Sequence, residues 1–248
     1  MLPIAGPTLL LIPVFNEAEN IAALNAEIRA ALPGIEVCWI NDGSSDGSDR
    51  EIRATGRRWL NLPCNLGIGS ALQTGFRYAL DEGFEYAIRL DGDGQHPPDQ
   101  CIRLAERMRR DDVDLVVGSR FLADGGYRTA WHRQAGIYAL AWLLSRACRR
   151  RITDPTSGFQ MANRAAMAYF AHHYPADYPE PEALALLSRQ GYRCCEVPVV
   201  FRPRRAGVSS IRHWGTLFYA FKVGVALFVD RFRAVDPLFD RHNVKGRA

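Results

Sequence analysis

The chain has 248 residues, of which 48% are hydrophobic and 23% are charged, and a formal net charge of +4. This length and composition suit an α/β domain with its own core, and they exclude a disordered chain, a collagen-like chain and a mini-protein held together by disulfides. The small net charge, without zinc-finger spacing or an aromatic RNA-binding pattern, argues against a nucleic-acid partner.

Up to about residue 120, apolar runs that fit buried strands alternate with amphipathic segments that fit helices. The run from Thr8 to Val14 is apolar throughout, as in a parallel strand buried on both faces, and Pro33–Gly34 ends the helix that follows it. The predicted strands are 8–14, 36–40, 59–62, 86–90 and 114–118, and the helices between them are 17–32, 67–80 and 98–110. This alternation predicts a mostly parallel sheet with helices on both faces.

The second half of the chain follows a different pattern, with no linker and no internal repeat. It contains a predicted apolar helix at 137–147, a polar loop at 153–159, helices at 163–170 and 181–191, and a strand at 196–201. We therefore predict a single α/β domain.

The six cysteines show no Cys-x-x-Cys spacing, and their only close pair is the adjacent Cys194–Cys195. Adjacent cysteines rarely form a good disulfide, so we expect reduced thiols. The N-terminal residues lack the charged segment of a signal peptide, and Pro13 interrupts the apolar run that follows them. These features predict a cytoplasmic protein, which would lie at the cytoplasmic face of the inner membrane if it binds a membrane surface.

Polar clusters follow three of the predicted strands, at 15–17, 42–44 and 91–95. Ligands of open α/β sheets bind beyond the carboxyl ends of the strands, so these clusters are expected to meet at one crevice. Asp91 and Asp93 are two residues apart, and carboxylates at this spacing can reach one Mg²⁺ or Mn²⁺ ion, which shares its oxygen ligands between protein and substrate phosphates. The alternative for an isolated Asp-x-Asp is a simple turn.

Six segments resemble glycosyltransferase family 2 in their residues, order and spacing: 11–21 (LIPVFNEAENI), 41–48 (NDGSSDGS), 65–76 (NLGIGSALQTGF), 90–98 (LDGDGQHPP), 116–121 (VVGSRF) and 154–160 (DPTSGFQ). The resemblance covers residues 9 to about 211, and within the family it favours the dolichol-phosphate-mannose-synthase-like branch. It implies a GT-A fold, a nucleotide-diphosphate sugar as donor, and transfer with inversion at the anomeric carbon.

The resemblance also implies a donor site. Asp93 would act in catalysis through a metal ion, Asp91 would contact the metal, the ribose or the sugar, and Asp42 would accept the base N–H of uridine or guanosine. The other residues implied to line the nucleotide sugar are Pro13, Phe15, Glu17, Gly69 and Gln95. Structural alternatives remain: Asp42 can cap the next helix, Phe15 can belong to the core, Glu17 suits a first helical turn, and Gly69 suits a helix start.

Basic residues are implied to face the phosphates of the donor or of an acceptor. Arg120 and Arg133 resemble such positions, and the segment 202–209 fits an R-x-x-G-x-S pattern through Arg204, Gly207 and Ser209. Guanidinium groups suit this role because they bind phosphate oxygens in pairs. The alternative is a salt-bridged surface loop.

The need for a catalytic base depends on the acceptor. A sugar hydroxyl must lose a proton as it attacks, and Asp154, Glu180 and Glu182 are the candidate bases. A polyprenyl phosphate is already ionised and needs none. Glu180 and Glu182 depart from the Glu-Asp pair of hydroxyl-directed relatives, and Asp154 has the alternative role of holding the acceptor loop.

The segment 214–229 is nearly all apolar, but at 1.5 Å per residue it is too short for a bilayer of about 30 Å, and Lys222 lies in its middle. It predicts an amphipathic helix that lies on a membrane surface, or that packs in the core or in a dimer. We expect a GT-A domain over 1–211, with a nucleotide-sugar half at 8–120 and an acceptor half at 121–211, followed by this helix and a tail over 212–248.

The sequence thus predicts a metal-dependent glycosyltransferase that uses a UDP- or GDP-sugar and a polyprenyl phosphate acceptor. A second reading keeps the donor chemistry with a hydroxyl acceptor on a glycan or glycolipid. A non-catalytic partner that binds nucleotide sugars would have a degraded metal motif, whereas Asp91-Gly92-Asp93 is intact. The Gly-rich signature of sugar nucleotidyltransferases and the Q-x-x-R-W motif of processive synthases are absent.

Overall fold

The computed structural model describes residues 2–110, 112–122, 131–176, 179–203, 236–239 and 241. The strands are β1 (Thr8–Val14), β2 (Glu36–Asn41), β3 (Arg58–Asn61), β4 (Tyr86–Arg89), β5 (Leu115–Ser119), β6 (Gln160–Asn163) and β7 (Cys194–Pro198). The helices are α1 (Ala18–Ala31), α2 (Ser48–Ala54), α3 (Ile68–Asp81), α4 (Cys101–Arg110), α5 (Trp131–Cys148), α6 (Arg164–His173) and α7 (Pro179–Arg189), and a 3₁₀ turn at Pro98–Gln100 leads into α4.

The strands form one sheet in the order β3-β2-β1-β4-β6-β5-β7. Strand β6 runs antiparallel to both of its neighbours, and every other pairing is parallel. The carboxyl ends of the parallel strands and the amino end of β6 therefore lie at the same edge of the sheet. The prediction of a mostly parallel sheet flanked by helices is confirmed.

Strand β1 shows why the apolar runs form the centre of the sheet. Successive strand residues point to opposite faces, so Leu9 and Leu11 pack on one side of the sheet while Leu10 and Ile12 pack on the other, and all four are fully buried. Helices α3 and α6 cover the first side, and α1 and α4 cover the second. Because β1 is buried on both faces, its sequence is a continuous apolar run without alternating polar residues.

Two elements were not predicted. Helix α2 follows the polar turn after β2, in a segment that the sequence analysis assigned to neither a helix nor a strand. Strand β6 has four residues, QMAN, which directly follow the predicted polar loop at 153–159, and its last residue, Asn163, was predicted as the start of the next helix. Helix α5 also begins at Trp131, six residues before the predicted start at 137.

Pro13 occupies a position in β1 where the missing N–H costs no hydrogen bond of the sheet. Leu11 accepts from the backbone N–H of Leu90, so alternate residues of β1 direct their backbone groups toward β4, and Pro13 is one of them. The pairing with β4 ends at Leu11 opposite Arg89, so Pro13 leaves no ladder partner unsatisfied. Its carbonyl instead faces the loop that follows β4.

The described C-terminal residues pack back on the domain, at the end away from the carboxyl edge. The ring of Phe239 lies 5.8 Å from that of Tyr169 on α6, and Arg241 donates from Nε to the buried carboxylate of Asp114. The amphipathic segment 214–229 lies outside the described residues. Among the residues that are described, no helix has both the length and the apolar character needed to cross a bilayer.

Candidate active site

The loops that follow β1 and β2 are held together by hydrogen bonds between their polar residues. The backbone N–H of Asn16 donates to Ser44 Oγ at 3.0 Å, and Asn16 Oδ1 accepts from the backbone N–H of Ser45 at 2.9 Å. Asp46 accepts from the backbone N–H groups of Ala18 and Ser48. The cluster therefore fixes the starts of α1 and α2 at the carboxyl edge of the sheet.

Asp42 is 4% exposed and holds the turn that precedes α3. Its Oδ1 and Oδ2 accept from the backbone N–H groups of Leu66 (2.8 Å) and Gly67 (2.9 Å), and its own N–H donates to Val14 O. Asp42 therefore stabilises the turn before α3, although it does not cap the helix itself as the alternative in the sequence analysis supposed. Each carboxylate oxygen has two acceptor positions, so the contact with a nucleotide base stays a prediction.

The acid pair lies on the loop after β4, directly beside the end of β1. A Cβ at Gly92 would lie 3.2 Å from Pro13 O and 3.3 Å from a methyl group of Val14, so the loop packs against the end of β1. Asp42, which follows β2, donates its backbone N–H to Val14 at the same strand end. The Asp93 side chain is 4% exposed, and its Oδ1 accepts from the backbone N–H of Gln95 at 3.0 Å. The two acidic loops thus flank one strand end.

His96 stabilises this loop through a hydrogen bond to the backbone of Asp91. Its Nδ1 accepts from the backbone N–H of Asp91 at 3.1 Å, and its ring stacks on Phe159 with centroids 5.1 Å apart. Burial lowers the pKa of His96, and the charges of Asp91 and Asp93 only partly oppose this effect. The ring is therefore a neutral support of the loop at neutral pH.

Arg89, which the sequence analysis did not select, lies beneath the acid pair. Its side chain is 3% exposed, its Nε donates to Asp91 Oδ1 at 3.0 Å, and its Nη1 is 2.8 Å from Glu180 Oε1. The signal in the sequence is a single charged residue in the predicted buried strand 86–90. A charge buried at a strand end requires partners, and here the partners are two of the candidate site residues.

Arg120 and Asp154 form a second buried ion pair. The Asp154 carboxylate is 0% exposed and accepts from Arg120 Nε (2.7 Å), Arg120 Nη2 (2.6 Å) and the Arg120 backbone N–H (3.0 Å). The guanidinium also donates to Thr156 Oγ1 and lies 5.1 Å from the ring centroid of Phe201. A carboxylate occupied in this way positions a cation, and it is poorly arranged to take a proton from a substrate.

Glu196 on β7 fixes the loop that carries Asp154 and is a further residue that the sequence analysis did not select. Its carboxylate accepts from the backbone N–H of Asp154 at 2.8 Å and from the backbone N–H and hydroxyl of Thr153. Burial raises the pKa of Glu196, against the effect of these hydrogen bonds. The loop is therefore tied to β7 as well as to Arg120.

The remaining predicted donor residues surround these loops. Phe15 is 45% exposed, so it does not belong to the core, and its contact with a nucleotide stays a prediction. Glu17 is half-buried at the start of α1, where it accepts from the Asn20 amide. Gln95 pairs through its backbone carbonyl with the N–H of Arg202 at 3.0 Å. Glu182 is half-buried on α7.

Gly69 has a packing role that the sequence did not show. A Cβ at this position would lie 2.1 Å from Pro175 O and 2.5 Å from Ala176 O, so only glycine lets α3 approach the segment after α6. Its contact with a nucleotide stays a prediction. Arg204 and Ser209 lie outside the described residues, and so does the side chain of Arg133.

The acid pair has the right chemistry for a hard divalent cation. Among the described residues, no group of three or more His, Cys, Asp or Glu side chains is arranged to hold an ion. Asp91 and Asp93 nevertheless offer carboxylate oxygens at one edge, and Mg²⁺ or Mn²⁺ completes its shell with substrate phosphates and water. The chemistry of these two carboxylates therefore fits such an ion.

The sequence model described as Glycosyl transferase family 2 matches residues 10–170. The chain belongs to this family. It is similar to an undecaprenyl-phosphate mannosyltransferase of Micrococcus luteus, with 30% identity over 82% of this chain and 86% of the relative. It is also similar to a polyprenol monophosphomannose synthase of Mycolicibacterium smegmatis, with 28% identity over 92% of this chain and 91% of the relative. The protein is a glycosyltransferase of the dolichol-phosphate-mannose-synthase-like branch.

The family 2 fold is shared with a more distant group of solved structures. Glucosyl-3-phosphoglycerate synthase from Mycobacterium tuberculosis, in complex with Mn²⁺, uridine diphosphate and glucosyl-3-phosphoglycerate, superposes with a TM-score of 0.68 at 18% identity, over 94% of this chain and 82% of that one. At this identity the likeness concerns the fold alone. It confirms the predicted GT-A fold.

Proposed function

We propose that this glycosyltransferase moves one sugar from a UDP- or GDP-sugar to a polyprenyl phosphate, with inversion and with the help of a divalent metal ion. The observation that carries the proposal is the pairing of the acceptor-side acids. Asp154 is bound by Arg120, and Glu180 is bound by Arg89. An acceptor that arrives as an anion needs no base, and such an acceptor suits a site in which two of the three candidate bases are paired with arginines.

Arg120 is the residue proposed to bind the acceptor phosphate. Its guanidinium is held at the carboxyl edge of the sheet by three hydrogen bonds, two to Asp154 and one to Thr156. The Arg120 side chain remains 10% exposed. A preoriented guanidinium binds phosphate oxygens with little loss of side-chain freedom. The relatives in Micrococcus and Mycolicibacterium, named for undecaprenyl phosphate and polyprenol, support the same class of acceptor.

On the donor side, Asp91 and Asp93 are the proposed ligands of Mg²⁺ or Mn²⁺. When bound there, the ion would neutralise charge on the diphosphate as the bond to the sugar breaks. Gln95 and His96 hold the loop that carries both acids, and Asp42 and Phe15 lie at the neighbouring strand end, where the nucleoside is proposed to bind.

The proposal is tested with Mn²⁺, a panel of UDP- and GDP-sugars, and a short-chain polyprenyl phosphate or a neutral glycan as acceptor, with products identified by mass spectrometry. Asp93→Asn keeps the oxygen that accepts from Gln95 but removes the charge, and the matched control is Asp99→Asn, at an exposed acid close by. We expect Asp93→Asn to lose about 100-fold or more in turnover, because several kcal/mol of charge stabilisation is lost at the leaving group. Transfer that continues in chelator would refute the metal role.

A hydroxyl acceptor is the alternative, and it depends on Glu182, the third candidate base, which is half-buried on α7. Glu182→Gln should leave transfer to polyprenyl phosphate nearly unchanged. Transfer to the neutral glycan alone, abolished in Glu182→Gln, would replace the proposed acceptor with a hydroxyl.

A further inference from the structure

A buried arginine connects the donor-side acid pair to the acceptor-side helix. Arg89 ends β4, and its guanidinium lies between Asp91, on the loop that follows β4, and Glu180, in the first turn of α7. These carboxylates are far apart in the sequence: Asp91 is a proposed metal ligand on the donor side, and Glu180 is one of the candidate bases on the acceptor side. One cation therefore links the two sides of the site.

The surroundings leave the guanidinium little freedom. A Cβ at Gly158 would lie 2.6 Å from Arg89 Nη2, 2.7 Å from Cζ and 3.0 Å from Asp91 Oδ2, so the loop before β6 packs directly on the ion pair. Burial lowers the pKa of Arg89, but Asp91 and Glu180 more than compensate and raise it above its ordinary value. The residue therefore stays charged and fixed.

This arrangement determines how Asp91 faces the site. Its Oδ1 is turned inward to Arg89, whereas its Oδ2 lies 3.7 Å from His96 Nε2 and the side chain is 30% exposed. Arg89 therefore holds Oδ1 in the orientation that the structure shows, and removal of the guanidinium takes away this contact. Outer partners of this kind determine the orientation of metal-binding carboxylates in many proteins.

We propose that Arg89 is a positioning residue, which orients Asp91 for the divalent ion while Glu180 anchors its other end. The inference rests on the proposed function, because it concerns the same metal and donor site. It assigns Glu180, whose pairing with Arg89 already argues against a role as base, to donor binding through Arg89.

The direction in which substitution of Arg89 changes the affinity for the divalent ion distinguishes a positioning role from the simple effect of a nearby positive charge. If Arg89 acted only as a nearby positive charge, Arg89→Gln would tighten the binding of a cation to the acid pair, and Arg89→Lys would change nothing. A positioning role predicts weaker binding in both variants, because neither side chain can bridge Asp91 and Glu180 as the guanidinium does.

The experiment measures Mn²⁺ binding by electron paramagnetic resonance, with UDP or GDP present and no acceptor. We expect Arg89→Gln and Arg89→Lys to weaken Mn²⁺ binding by about 10-fold or more, in the range seen when an outer partner of a metal ligand is lost. Glu180→Gln should weaken it several-fold. The matched control is Arg109→Gln, which changes an exposed arginine on α4 and should leave Mn²⁺ binding at the wild-type value.

The outcomes divide cleanly. Wild-type protein that binds no Mn²⁺ with either nucleotide refutes the proposed function, and the inference with it. Wild-type binding that Arg89→Lys and Glu180→Gln leave unchanged, or that Arg89→Gln tightens, refutes the positioning role alone. If Arg89→Gln fails to fold, which thermal unfolding would show, Arg89→Lys and Glu180→Gln decide the question, since both keep Arg89 or its charge opposite Asp91.

Discussion

Asp154→Asn tests whether Asp154 holds Arg120 or removes a proton from the acceptor. The wild-type carboxylate is fully buried and accepts three hydrogen bonds from Arg120. Asparagine offers one oxygen and one NH₂ group, so a guanidinium donor would face another donor. Removing one partner of a buried ion pair costs about 3–5 kcal/mol. For a chain of this length, we expect the midpoint of thermal unfolding to fall by about 6–20 °C.

The matched control is Asp49→Asn, which breaks an ion pair of the same type on the surface. Asp49 Oδ2 lies 2.9 Å from Arg53 Nε, and both side chains are more than one third exposed. Such a pair contributes about 0.3–0.5 kcal/mol, so its loss should shift the midpoint by no more than about 2 °C. The comparison isolates burial as the cause of the larger effect.

Kinetics complete the test of Asp154. If Asp154 positions Arg120, the variant has a raised KM for the polyprenyl phosphate, and the pH dependence of kcat keeps its wild-type shape. An Asp154→Asn protein that unfolds at the wild-type temperature, binds both substrates normally and has lost kcat would refute this reasoning and make Asp154 the base.

Three further predictions concern packing, pH and thiol reactivity. Gly69→Ala should lower the free energy of unfolding by about 1–3 kcal/mol in denaturant titrations, because its Cβ meets Pro175 O; a changed donor KM with unchanged stability would contradict this. The pKa of His96 is lowered in the folded state, so the unfolded state binds more protons below about pH 6.5. The free energy of unfolding should therefore decrease as the pH falls from about 6.5, and His96→Asn should make this pH dependence weaker. Among the cysteines, exposed Cys64 should react first with a thiol reagent in mass spectrometry, whereas burial raises the pKa of Cys38 to about 12 and should protect it.

Much of the sheet and the edge of the site could be predicted from local sequence. Strand β1 is a run of apolar residues, and the acid pair follows β4 directly, so the parallel order of β1, β2 and β4 places Asp42, Asp91 and Asp93 at one edge. The prediction succeeded because burial on two faces and the direction of parallel strands are properties of short segments.

The charge pairs inside the site could not be predicted in the same way. Arg120 and Asp154 are 34 residues apart, and Arg89 meets Glu180 across an even longer interval, so their pairing depends on how the strands are ordered. Strand β6 determines part of that order, yet its four residues carry a Gln and an Asn and show neither a clear alternation nor an apolar run. Local patterns indicated which acidic residues follow a strand end. The strand order determined which arginine each of these residues pairs with.

The antiparallel direction of β6 explains why the proposed donor-side and acceptor-side residues lie at the same edge of the sheet. Because β6 runs antiparallel between β4 and β5, its amino end lies beside their carboxyl ends, and the loop before it reaches both. In that loop Asp154 binds Arg120, just beyond β5, while Gly158 packs on Arg89, at the end of β4. A parallel strand at the same place would carry this loop to the opposite edge of the sheet. The reversal therefore brings the arginine proposed to bind the acceptor phosphate to the same edge as the acids proposed to bind the donor's metal ion.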